Sequence, residues 1–214
     1  MLLIFPPVSK PCEPPAGIAK LGAALLARGI SCRVLDGNIE GLLSLLQRPR
    51  KAADTWSRRA FKNISANLAA LRDPRTYRSP DRYSRAVKDV NRVLAVSAQD
   101  SGAVIGLADY QHRRLSPLKS ADLIAAAEHP EQNPFYPWFS KRLEEILEGS
   151  FFSQRRKERK ENQYAKNFVE ENTSTMVGFS LNYLSQALCA FAMIGFVKKE
   201  FPGLKVVLGG GLVS

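Results

Sequence analysis

Five prolines fall within ten residues: Pro6, Pro7, Pro11, Pro14 and Pro15. They restrict what can stand on either side. Proline gives no N–H to a ladder or a helix, so this segment is neither a central strand nor a helix interior. Before it, Leu2, Leu3, Ile4 and Phe5 form an unbroken apolar run, the pattern of a strand covered on both faces. After it, Ile18, Leu21 and Leu25 recur at i, i+3 and i+7, which predicts a helix from Ala16 that Gly29 ends. Gly22 lies inside that helix, where glycine costs about 1 kcal/mol relative to alanine. Close packing against a sheet or a ligand is therefore expected there. Strand, stiff loop and helix N-terminus is what open α/β folds place at a ligand site.

The alternation continues for one more unit. Ser31 to Leu35 reads as a second strand, Asp36-Gly37-Asn38 as a turn and Ile39 to Gln47 as a short helix. From Arg48 the pattern changes. Trp56, Ala60, Ile64 and Leu68 have helical spacing within Ala52 to Leu71. Asp81 is placed to cap a helix carrying Tyr83, Val87, Val90 and Leu94. Ala103 to Leu107 suits a short strand, and Ser120 to Glu128 a helix. Trp138, Phe139, Leu143, Ile146 and Leu147 form an apolar stripe, and the charged run 154–161 suits an exposed helix. Strand and helix alternate again from Met176: a strand to Ser180, an apolar helix from Ser185 to Lys199, and a strand Lys205 to Leu208 before Gly209-Gly210-Gly211.

The expected fold is therefore α/β, a flavodoxin-like (Rossmann-like) parallel sheet of order 2-1-3-4 with a large, mostly helical insertion after strand 2. Residues 1–46 and 171–214 form the α/β core and 47–170 the insertion. The insertion is expected to pack over or beside the carboxyl edge as a subdomain whose removal leaves a foldable core. Such sheets have a fifth strand, so the chain is expected to continue past Ser214, or to dimerise through the open sheet edge.

The net charge of +11 is uneven: residues 47–170 carry 24 Lys and Arg against 15 Asp and Glu. Acids interleave with the bases and few aromatics accompany them, so a solvated helical surface is expected and nucleic acid is not. No apolar run is long enough for a membrane span, and the apolar N-terminus lacks the basic start of a signal peptide, so the expected compartment is the cytoplasm. Cys12, Cys32 and Cys189 are odd in number and widely spaced, which fits neither a CxxC metal site nor a disulfide framework.

Three loops would meet at the carboxyl edge. The first offers Pro6, Pro7, Ser9, Lys10, Glu13 and Pro14, and the second Ser180, Asn182 and Tyr183. The third offers Gly209, Gly210 and Gly211, where backbone can approach a ligand without side-chain obstruction. Asp36 and Asn38, at the end of the second strand, complete the candidate cofactor-binding set. A Gly210→Val change is expected to fill ligand space and spare the fold. No catalytic or metal-ligating residue is assigned. GxGxxG does not follow the first strand and GxxxxGK[ST] is absent, which leaves a nucleotide-binding or regulatory α/β domain without catalysis as the alternative reading.

PPVSKPCEPPAGIAKLGAALLARG, VLDGN and MVGFSLNYLSQALCAFAMIGFVKKEFPGLKVVLGGG together resemble the cobalamin-binding N-terminal domain of radical S-adenosylmethionine enzymes. The likeness covers residues 1–45 and 174–214. NPFYPWFSKRLEEIL is similar to members with long insertions. The resemblance implies base-off cobalamin without a histidine ligand. The run from Asp36 to Gly41 imitates DxHxxG with Asn38 in the histidine place, but it follows the second strand where families with that motif carry it after the first, so the likeness is read as chance; His112 and His129 lie in the insertion. The resemblance also implies a parent enzyme, a methyltransferase or a related radical enzyme, with a 4Fe-4S cluster and S-adenosylmethionine on a barrel of the same chain. The CxxxCxxC triad is absent here, so this chain alone would not cleave S-adenosylmethionine.

Overall fold

The computed structural model describes residues 1–48, 52–161 and 176–213, with 149–161 by backbone alone. Four strands form one parallel sheet: β1 (Leu2–Phe5), β2 (Arg33–Asp36), β5 (Met176–Ser180) and β6 (Lys205–Gly209), in the order β2-β1-β5-β6. Ile4 stands level with Leu35 on one side and Phe179 on the other. The insertion adds two strands of its own, β3 (Ala103–Ile105) and β4 (Tyr110–His112), paired antiparallel in a separate ribbon. The sheet order therefore differs in numbering from the expected 2-1-3-4, because the insertion's ribbon intervenes. β3 lies within the expected strand. β4 is three residues long, Tyr-Gln-His, too short to display an alternation.

Successive residues of β1 point to opposite faces. Leu3 and Phe5 meet Ile18 of α1 (Ala16–Leu26), with Met1, Leu25 and Cys32 at the margin. Gly22 is the point where α1 lies on β2: a Cβ there would stand 3.3 Å from Val34 Cγ2. Leu21, expected in the buried stripe, is 48 % exposed, because the narrow contact is made by Ile18 and Gly22 instead. α1 closes at Gly29 (φ +75°), where Gly29 N–H donates to Leu26 O and Ile30 N–H to Leu25 O.

The other face carries the main core. Leu2, Ile4, Leu35, Val177 and Phe179 pack under α2 (Gly37–Leu46) and α8 (Ala187–Glu200). The insertion continues the same cluster. It comprises α3 (Thr55–Lys62), α4 (Ile64–Arg72), a 3-10 turn Pro74–Arg78, α5 (Pro80–Ala98), α6 (Ser120–Glu128) and α7 (Tyr136–Glu161). Val90, Val93 and Leu94 of α5 and Phe139, Leu143 and Leu147 of α7 join Leu42, Leu45, Leu188, Met193 and Phe196 in one contiguous core. Phe139, Phe196 and Tyr136 meet edge to face, with centroids 5.4–6.0 Å apart. The insertion thus covers the α2–α8 face of the sheet. At the start of α7, Trp138 reaches towards the carboxyl edge, where a Cβ on Gly37 would lie 3.2 Å from the indole and 2.9 Å from Phe5 O.

Two local expectations change. The Ala52 to Leu71 spacing is shared by two helices that break at Asn63. Ser79, not Asp81, occupies the N-cap of α5, because Pro80 takes the first helical position, where its missing N–H costs nothing. The charged run lies within α7, but its side chains lie outside the described residues, as does the domain boundary at 170/171. Among the described residues no helix is long and apolar enough to cross a membrane.

A polar clasp fastens α3 to α5. Asp54 accepts the Ser57 N–H (2.8 Å), the Ser57 hydroxyl (2.7 Å) and Arg92 (2.7 Å). Arg92 also lies 5.0 Å from the centroid of Trp56, whose indole N–H donates to Asp89 at 3.0 Å. The Ser57 N–H first, then its hydroxyl and Arg92, hold the Asp54 carboxyl well below the usual carboxylate range. A pKa depressed in the folded state stabilises above the unfolded value, and that contribution fades as the pH falls towards the folded one. Thermal unfolding from about pH 5 to about pH 3 should therefore show the melting temperature falling with acidification. The fall should be shallower in Asp54→Asn, which has no charge to lose. Equal slopes would remove Asp54 from the acid response.

Candidate functional site at the carboxyl edge

Strand order reverses between β1 and β5, since β1 passes to β2 on one side and β5 to β6 on the other. The loops leaving β1 and β5 must diverge there, and open α/β sheets bind ligands at such points. In this chain the two loops are fastened to each other. Ser185 Oγ donates to Val8 O at 2.8 Å, and Gln186 Nε2 donates to Pro6 O at 2.7 Å. Gln186 is fully buried, and its Oε1 accepts the N–H groups of Asn182 (2.9 Å) and Tyr183 (3.1 Å). One amide side chain thus satisfies three backbone groups that an edge loop would otherwise leave to water.

Asn38 makes the same kind of clamp from α2. Its Oδ1 accepts Ser9 N–H at 2.9 Å and its Nδ2 donates to Ser9 O at 3.0 Å. Asp36 is the N-cap of α2, accepting Ile39 N–H at 3.1 Å. The third loop is stitched to the second: Leu181 N–H donates to Gly209 O (2.7 Å), Leu212 N–H to Leu181 O (3.0 Å) and Gly211 N–H to Asn182 Oδ1 (3.0 Å). Gly210 has φ +110°, and a Cβ on it would run into the Leu181 carbonyl. The space a valine would need at Gly210 belongs to Leu181, not to a ligand. The Gly210→Val expectation is corrected accordingly: the variant should disturb the loop itself.

The structure therefore brings the three loops and the start of α2 to one edge, with its polar groups in two tiers. Pro6, Pro7 and Ser9 form the buried tier, held by Asn38 and Gln186. Lys10, Glu13 and Tyr183 form an exposed tier: Tyr183 OH donates to Glu13 at 2.8 Å, and Lys10 Nζ lies 3.3 Å from the other carboxylate oxygen. The Tyr183 hydroxyl, and then Lys10, lower the Glu13 pKa, while Glu13 raises that of the Tyr183 phenol. Pro14 stands just before α1, and Ser180 and Gly209 end β5 and β6 side by side.

One position at this edge is open to a ligand without breaking a contact, and one polar atom of the buried tier is unsatisfied. Ser9 Oγ is buried and has no hydrogen-bond partner. Gly209 faces open space, with nothing within 4 Å of where its Cβ would be. Sequence reading missed Ser185 and Gln186. A glutamine at the head of the otherwise apolar run ALCAFAMIGF is the signal that could have found the second.

The histidines stand elsewhere. His112 Nδ1 accepts the N–H groups of Arg114 (3.1 Å) and Leu115 (3.0 Å), and its Nε2 lies 3.0 Å from Ser101 O. Both ring nitrogens are engaged, so Nε2 carries the proton. His112 and His129 line a cavity of about 50 Å³ with Tyr110 and Asn133, and His112 also borders an open polar groove of about 560 Å³ beside Arg113 and Arg114. No family model, no curated protein and no solved structure matches this chain.

Proposed function

We propose that the carboxyl edge is a cofactor site of the base-off cobalamin kind, in a flavodoxin-like module that serves a radical S-adenosylmethionine enzyme. One observation carries the reading: at the point where strand order reverses, a proline-stiffened loop is fastened to the β5 exit, and the neighbouring β6 exit presents Gly209 to open space. A large flat ligand needs both a rigid wall and backbone that it can approach closely. Gly209 would offer unobstructed backbone, and Lys10, Glu13 and Tyr183 an exposed polar rim. Cobalamin, when bound, would supply group-carrier chemistry to a catalytic barrel. This chain's residues would bind and orient it, and its engaged His112 would leave the cobalt without an imidazole from that position.

Hydroxocobalamin titrated into the protein should change the visible spectrum towards the base-off form and co-elute on gel filtration. An unchanged spectrum with no retention would defeat the proposal. Binding of nucleotides in its place would favour the regulatory reading. Gly209→Leu projects into open space, so it should leave the melting temperature nearly unchanged and weaken cobalamin binding about tenfold, a loss of about 1.4 kcal/mol. Equal affinity in wild type and variant would place the ligand away from β6.

A further inference from the structure

A second surface lies on the insertion and shares no residue with the proposed cofactor edge. Residues 52–98 carry ten Lys and Arg against four Asp, and eight of the ten are arginine. No glutamate occurs between Glu40 and Glu128. A solvated helical face is ordinarily laced by Glu–Lys or Glu–Arg pairs three or four apart; here three of the four aspartates each hold one arginine, Asp54 Arg92, Asp73 Arg75 and Asp89 Arg59, and each also bonds another group. Asp54 caps α3, Asp73 caps the Pro74–Arg78 turn and Asp89 accepts the indole of Trp56. Arg72, Arg78, Arg82 and Lys88 are exposed and have no carboxylate within ion-pair distance among the described residues.

Folding adds what the sequence alone did not display. Tyr77 on the 3-10 turn and Tyr83 on α5 are 59 % and 40 % exposed, with ring centroids 5.4 Å apart and planes inclined by 40°. Tyr77 OH donates to Leu71 O at 2.9 Å, which fixes the ring. Beside the pair, Arg75 is bound to Asp73 at 3.0 Å, and the charge of Arg82 also acts on that carboxylate. No large aliphatic side chain is exposed between Arg72 and Lys88, so a membrane surface, which takes up leucine and phenylalanine, fits poorly.

We infer that this corner, from Arg72 to Lys88, binds single-stranded nucleic acid. Arginine suits phosphate because its planar fork bonds in pairs and stacks on bases. Exposed, fixed aromatic rings supply the sequence-tolerant platform that single strands use. This inference is independent of the cofactor proposal, since it shares none of its residues.

The test is fluorescence anisotropy of the whole chain with labelled oligouridine and oligothymidine, from about 50 to about 200 mM salt. Wild type should bind at low salt, and either oligomer binding alone would assign RNA or DNA. Paired Tyr77→Leu and Tyr83→Leu changes should weaken binding about tenfold, while Tyr83→Phe, which keeps the ring and leaves the Tyr77–Leu71 bond in place, should bind like wild type. Arg78→Ala with Arg82→Ala should lower the salt slope by about 0.7 for each phosphate left without its arginine. Arg113→Ala with Arg114→Ala, in the bend just after β4, should change neither. Circular dichroism would exclude misfolding of each variant. No binding at low salt would overturn the inference. So would tyrosine variants that bind like wild type, or equal competition by heparin, which has charge and no bases.

Discussion

Removal of residues 47–170 behind a short linker is expected to yield an insoluble chain. α8 is apolar on almost every side because the sheet covers one flank and α6 and α7 cover another. Without the insertion, Leu42, Leu45 and Leu46 of α2 and Leu188, Met193 and Phe196 of α8 lose much of their cover. At about 1.5–3 kcal/mol for each such side chain, six of them approach the whole stability of a domain, about 5–15 kcal/mol. The expectation of a separable core does not follow from this packing, because the insertion shares the core. Soluble yield and far-ultraviolet circular dichroism of the deletion would check it, and a soluble, cooperatively melting product would restore the separable division.

Gly195→Ala is expected to be among the most damaging single changes. α6 crosses α8 at this residue, and a Cβ there would occupy the position of the Ala127 carbonyl. The obstruction is backbone and cannot rotate away, so α6 must lift from α8. Overpacking of this sort costs about 3 kcal/mol. Urea unfolding should show a much lower midpoint at an unchanged slope, the mark of altered stability rather than altered compactness. An unchanged midpoint would mean that the two helices do not approach so closely.

The legible parts of the fold share one property: each was long or apolar enough to state its own period. β1, β5 and β6 are apolar runs, and α8 could only be a helix buried on more than one side. β4 could not be read, because a register exists only with its partner β3. The insertion's helices could be read, but not the face of the sheet they cover, since an apolar stripe does not name what it meets. Leu21 and Gly22 show the same limit, where the glycine makes the contact and the leucine stays exposed.

The candidate site divides along similar lines. Prolines and glycines marked the loops, and the structure brings those loops to one edge. What they do there was not legible. Asn38 and Gln186 fasten backbone, Gly210 makes room for Leu181, and Tyr183 meets Glu13 from the far end of the chain. Such roles depend on residues 29 to 180 positions apart, which no local pattern encodes. Tyr77 and Tyr83 became a ring pair only because the turn between them folds one beside the other.

Hydrogen–deuterium exchange with and without hydroxocobalamin tests the central claim most directly. Cobalamin held at the carboxyl edge should slow exchange in residues 8–13, 181–186 and 209–213 and leave 72–88 unaffected. The spectrum should turn base-off over the same concentration range. Protection confined to the β3–β4 ribbon, or none at any segment, would contradict a cofactor site at this edge.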